Sequence, residues 1–144
     1  MKIAIASDHG GYELKEKIKE HFANWEWEDL GTYSTGSVDY PDYGFKLAKA
    51  IEQKKYEKGI IICGTGIGIS IAANRCKNVR AALCHNAYTA EMARRHNDAN
   101  VLALGGRVLD PKTAFEIVEI FFRTPFDGGR HERRVQKLSS ESCR

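Results

Sequence analysis

A lone thiol set against three glycines is the first place in this chain where chemistry could happen. Cys63 closes the apolar run 59–62, and Gly64, Gly66 and Gly68 follow it within five residues, interleaved with Thr65 and Ile67. A β-branched run reads as a strand, and the glycines as a tight turn into a helix. Two familiar phosphate-binding patterns fail on spacing. The dinucleotide fingerprint needs a glycine where Ile69 stands, and the P-loop needs a lysine that this turn lacks. What remains is a turn whose backbone N–H groups converge at a helix N-terminus. Such a place takes negative charge, either a bound phosphate or an oxyanion made during reaction. The same dipole favours the thiolate of a cysteine facing it. An ordinary thiol titrates near ~8.5, and each unit of lowering takes about 1.4 kcal/mol. The plainer reading is a buried cysteine acting as a small hydrophobe. The residue types leave both open.

Other polar groups carry the same double reading. Asp8-His9-Gly10-Gly11 is either a turn in which Asp8 caps the next helix or part of a site. Arg130 and Arg134 are one helical turn apart and can converge on one phosphate, or they form a solvated basic face with Arg133 and Lys137. No aromatic residues are interleaved there to stack bases, which argues against nucleic acid. His96-Asn97 ends a helix, where the C-terminal dipole stabilises a charged histidine. Cys84-His85 has no partners at metal-ligand spacing, so no metal is expected. Cys76 and Cys143 read as incidental, and His21 as a surface residue.

The elements that position these groups alternate in type. Strands are expected over 2–6, 26–30, 59–63, 80–84 and 100–104. Leu14, Ile18 and Phe22 form a helical stripe, and Pro41 opens a helix running through Ile51. Further helices are expected after the glycines, near 87–96, and over 111–122, where Ala114, Ile117, Val118, Phe121 and Phe122 share a face. Five strands and about five helices predict a three-layer α/β/α sandwich, Rossmann-like, around a five-stranded parallel sheet. Ligands of such sheets sit beyond the carboxyl ends of the strands. Ser7-Asp8-His9, the Tyr40 loop, Cys63-Gly64-Thr65, Cys84-His85 and Gly105-Gly106-Arg107 should therefore gather.

The 144 residues, 42% hydrophobic and 28% charged with a net charge of +3, describe one ordinary globular domain over 1–138. A frayed tail is expected over 139–144. No apolar run reaches membrane-spanning length, the first residues are too short for a signal peptide, and the cysteines lack disulfide spacing; the expected compartment is the cytoplasm.

Read in order, "SDHGG", "DYP", "CGTGIGISIAAN", "HNDANVLALGGR" and "GGRHERRV" closely resemble the type B ribose-5-phosphate isomerases. That family includes galactose-6-phosphate and allose-6-phosphate isomerases. The resemblance implies an aldose–ketose isomerase of a phosphorylated sugar, without metal or organic cofactor, and with neither nucleic acid nor membrane as partner. It implies Cys63 as the base, and the amides of Gly64, Thr65, Gly66, Ile67 and Gly68 as an anion hole for an enediolate. Thr65 and His96 match groups that assist ring opening, with Asn97 beside the developing charge. Asp8 and Tyr40 match sugar-hydroxyl contacts, and His9, Arg107, Arg130 and Arg134 the polar and phosphate-binding set. His131 and Arg133 lie inside the motif without an assigned role. One branch of the family replaces the cysteine with a glutamate from the following helix turn; the place assigned to it here is Ile69, which has no proton-accepting group. The resemblance also implies a homodimer with shared active sites, alone or paired into a tetramer. Six-carbon sugar phosphates are the rival substrates. A nucleotide- or flavin-binding module on the same sandwich is the competing class, and the failed fingerprints count against it.

Overall fold

A computed structural model describes residues 2–140. The elements run β1 (Lys2–Ser7), α1 (Tyr12–His21), β2 (Glu26–Asp29), α2 (Tyr40–Glu52), β3 (Gly59–Cys63), α3 (Ile67–Ala73), β4 (Ala81–Leu83), α4 (Ala87–Arg95), β5 (Val101–Gly105), α5 (Pro111–Arg123) and α6 (Arg130–Ser140). The five strands form one parallel sheet in the order β2-β1-β3-β5-β4. The expected sandwich is thus present, with element ends shifted by one or a few residues. Tyr40, not Pro41, opens α2, and Pro41 occupies its first turn, where a missing N–H costs nothing.

Pleating divides the core in two. Ile5, Ile60, Ile62, Leu102 and Leu104 pack with Leu14 and Ile18 of α1, Ala90 and Ala93 of α4, and Ile117 and Phe121 of α5. The opposite face carries Ala4, Ala6, Ile61, Cys63, Val101 and Ala103 against Leu47 and Ile51 of α2 and Ile69 and Ala73 of α3. Central β1, β3 and β5 are buried on both faces apart from Lys2, while the edge strands β2 and β4 are largely half-buried. β1 and β3 are neighbours whose chains leave for opposite faces, α1 to one and α3 to the other. Their carboxyl ends border the crevice of this switch point.

The helix α6 is the element missing from the expected tally. Only Val135 along it is buried, so the apolar stripe that marks the other helices is nearly absent. It runs through Ser140 and so takes in the first two residues of the expected tail. Residues 141–144, Cys143 among them, lie outside the described residues. No described helix is long and apolar enough to cross a membrane.

Candidate active site

The β3 pleat sends Cys63 toward the α2–α3 layer at the carboxyl end of the strand. Cys63 is only 4% exposed, yet its sulfur is not sealed among aliphatic groups alone. The Gly66 N–H donates to Sγ at 3.2 Å, setting the positive end of a peptide dipole against the sulfur. Gly66 has φ +80°, and a side-chain carbon there would stand 2.5 Å from Leu83 Cδ1 and 2.8 Å from the Leu104 carbonyl carbon. Only glycine fits this turn. Thr65 Oγ1 accepts the Ile67 N–H at 3.2 Å. The β5 loop braces the other side, with Gly106 N–H donating to Cys63 O at 2.8 Å and Arg107 N–H to Gly64 O at 2.9 Å.

Four further expected residues lie around this turn. Gly10 approaches so closely that a side-chain carbon on it would be 3.0 Å from Gly64 N and 3.3 Å from Asp8 Oδ1. Asp8 does not cap α1, whose N-cap is Gly11 without a side-chain cap bond; its carboxylate instead closes the preceding turn, accepting the Gly11 N–H at 3.1 Å at the same crevice. The Arg107 guanidinium overhangs Gly64, 3.2 Å from where a side chain would begin. The Tyr40 ring lies over Gly68, whose missing side chain would come within 2.6 Å of Cε1. His9 Nδ1 accepts the Val38 N–H at 3.1 Å, which leaves Nε2–H as the ring's donor.

His96, Asn97, Arg130 and Arg134 are not brought to this crevice by their own chain. After β4 the helix α4 carries the chain back across the sheet, so His96, its C-cap, sits at the amino edge just before β5. The length of β5 separates that edge from Cys63 by on the order of 15 Å. A second polar cluster forms there. The His96 and His131 rings stack with centroids 4.3 Å apart and planes inclined by 12°. Asp127 N–H donates to Arg95 O at 3.1 Å, and Arg95 Nη1 reaches Asp127 Oδ1 at 3.2 Å. Buried Arg94 locks the turn, donating to Thr124 O at 3.1 Å, Asp98 Oδ1 at 2.9 Å and Ala99 O at 2.6 Å. Burial and the charges of His96, Arg130 and Arg134 push the His131 imidazole below its ordinary value, against the pull of Asp127.

One donor atom each from His96, Asp127 and His131 lies within 4.8 Å of the others, a spacing a metal ion could use. Arg95 already holds the carboxylate, however, and Arg130 and Arg134 make the neighbourhood positive. Burial pushes the Cys84 thiol up to about 11.

Sequence reading missed Lys15. It is fully buried, and its ammonium donates to Asp29 Oδ1 and Thr32 O, both at 2.6 Å. Lys19 takes Asp29 Oδ2 at 2.8 Å, and the Gly31 N–H donates to Asp29 Oδ1 at 2.9 Å. This network anchors the start of the 30–39 loop, which goes on to Val38 beneath His9 and to Tyr40. A signal was available: Lys15 falls three residues before Ile18 and beside Leu14, on the apolar stripe of α1. Ile69, given above as the place of an alternative base, is fully buried against Gly44. Ile67, the first residue of α3, is exposed.

A thiol faced by the Gly66 amide and an overhanging arginine thus stand at the switch point of a Rossmann-like α/β sheet, the place where such folds bind small molecules. The comparisons make this specific. The ribose/galactose isomerase profile matches residues 3–138, and the chain belongs to that family. It is 43% identical over 141 residues to ribose-5-phosphate isomerase B of Escherichia coli (strain K12), covering 96% of this chain and 95% of that one. The ribose 5-phosphate isomerase of Thermotoga maritima superposes with TM-score 0.94 at 54% identity, over 97% of this chain and 98% of that one. Ribose-5-phosphate isomerase B of Mycoplasma genitalium, solved with bound ribulose-5-phosphate, superposes with TM-score 0.90 at 42% identity, over 95% and 93%.

Proposed function

We propose that the chain interconverts ribose 5-phosphate and ribulose 5-phosphate, with Cys63 as the base and the 64–68 amides as the anion hole. The observation that carries this reading is the Gly66 N–H aimed at the Cys63 sulfur. Cys63 removes the proton from C2 of the open aldose; the electron pair forms the C1–C2 double bond and the former carbonyl oxygen becomes anionic. The thiol returns the proton to C1 as C2 becomes the carbonyl, and the C2 hydroxyl proton passes to the oxygen on C1. A positioned base contributes roughly 10²–10⁴-fold, and one preorganised donor about 3–4 kcal/mol. Asp8, His9, Tyr40 and Arg107 orient the sugar, and Thr65 takes part in ring opening.

The remaining groups come from a second copy. His96, Asn97, Arg130 and Arg134 lie at the edge of the sheet opposite Cys63, and a two-fold axis across the strands exchanges the two edges. It would set His96 and Asn97 of one copy beside Cys63 of the other, with Arg130 and Arg134 on the phosphate. Apolar surface suited to such pairing is present: Ile67 and Ile71, one turn apart on α3, are 52% and 62% exposed.

Initial rates on ribose 5-phosphate, allose 6-phosphate and galactose 6-phosphate, for the wild type and Cys63→Ala, test the reading. It expects ribose 5-phosphate to be turned over fastest and the variant to bind it without turnover. Faster turnover of a six-carbon phosphate would move the substrate to the other members of the family. Residual activity near wild type in Cys63→Ala would remove the thiol as base.

A further inference from the structure

His131 has no part in the mechanism so far, yet its ring covers His96 at 4.3 Å in near-parallel planes. At this distance a charge on His96 disfavours one on His131. Resting on the ring-opening role of His96, we infer that His131 is a positioning residue: a neutral ring that fixes the plane of His96 and leaves it the proton the pair shares. Opening the furanose breaks the bond between C1 and the ring oxygen. The electron pair goes to that oxygen, which gains a proton, while the C1 hydroxyl loses one to become the aldehyde. A histidine that relays this proton must pass through its charged form. A charged neighbour in the stack would suppress that form.

The surroundings of His131 disfavour its charged form. On its own helix Arg130 and Arg134 repel a proton, His96 repels it from the end of α4, and partial burial works in the same direction. Asp127 alone pulls the other way, and Arg95 from α4 engages that carboxylate at 3.2 Å. The backbone N–H of His131 donates to Gly128 O at 3.0 Å, so the two rings project from the end of α4 and the first turn of α6, both ordered elements.

The test follows the His96 ring by NMR across pH in the wild type, His131→Phe and His131→Lys. In parallel, the pH dependence of kcat/KM is measured on ribose 5-phosphate, and kcat on ribulose 5-phosphate, which is open-chain. Phenylalanine keeps a flat ring without a titrating group. His96 should then titrate as a single group, with closed-ring turnover within about threefold of wild type. Lysine places a permanent charge in the stack. It should move the His96 midpoint to lower pH by a unit or more and slow closed-ring turnover about tenfold, more than open-chain turnover. An unchanged His96 titration in both variants would overturn the inference, as would equal losses on the two substrates in His131→Lys. Circular dichroism and the melting temperature check that each variant is folded. The NMR titration needs no turnover, so a wrong sugar assignment would abolish the kinetic arm and leave the coupling measurable.

Discussion

The Gly66 amide points at the Cys63 sulfur from 3.2 Å, across a turn that only glycine can make. Strand β3 fixes one end of this contact and the first turn of α3 the other, so sulfur and amide are held by rigid elements. Gly66→Ala would impose a left-handed conformation on alanine and drive its methyl into Leu83 and Leu104. The expected cost is about 1–3 kcal/mol of stability, read from urea denaturation, together with loss of activity at temperatures where the variant stays folded.

Thiol chemistry should separate the cysteines. Burial pushes Cys84 up to about 11, and burial with the Glu52 carboxylate raises Cys76. At pH 7.5, iodoacetamide should therefore modify Cys63 ahead of both, with activity falling in step and ribose 5-phosphate slowing the reaction. Peptide mapping by mass spectrometry follows each site. Inactivation that tracks Cys76 or Cys84 would contradict the assignment.

Arg130→Ala and Arg134→Ala should raise KM for ribose 5-phosphate by roughly tenfold or more each, a charge-assisted contact being worth about 1.5–3 kcal/mol. The preference for ribose 5-phosphate over ribose should shrink in proportion. Steady-state kinetics on the two sugars provides the comparison, and an unchanged preference would take the phosphate away from α6.

Acid should loosen the 30–39 loop through Asp29. Burial alone would raise this carboxyl, but hydrogen bonds from Lys15, Lys19 and the Gly31 N–H override it and hold it below the ordinary value. A carboxyl depressed in the folded state contributes stability that is present above the unfolded value near ~3.9 and is lost as pH falls through the folded one. Asp29→Asn should flatten this part of the acid-unfolding curve. Lys15→Met should remove the bond to Thr32 O and raise KM more than it lowers kcat, since His9 and Tyr40 hang on the same loop.

The sheet was legible because "KIAIA", "GIIIC" and "NVLAL" are apolar on both faces, as central parallel strands must be. The α6 helix was not counted as an element, because only Val135 and Leu138 among its eleven residues are apolar and periodicity has little to register. Within the site, the residues that follow β1 and β3 were readable from strand ends alone. His96 and the arginines of α6 were not placed by that rule, since helices return to the opposite edge. The stack of His131 on His96 joins residues 35 apart in number, with no local pattern to announce it. Lys15 escaped because a lysine on a helix is read as solvated until its partners across the fold are known.

Mixing two inactive variants tests the shared site most directly. Cys63→Ala and His96→Ala, each purified and then unfolded and refolded together in equal amounts, should form mixed dimers in half of the population. One of the two sites in each mixed dimer then holds an intact Cys63 opposite an intact His96. The account predicts recovery of about one quarter of wild-type activity, from statistical pairing of two subunits. Recovery no greater than the sum of the separate variants would contradict it.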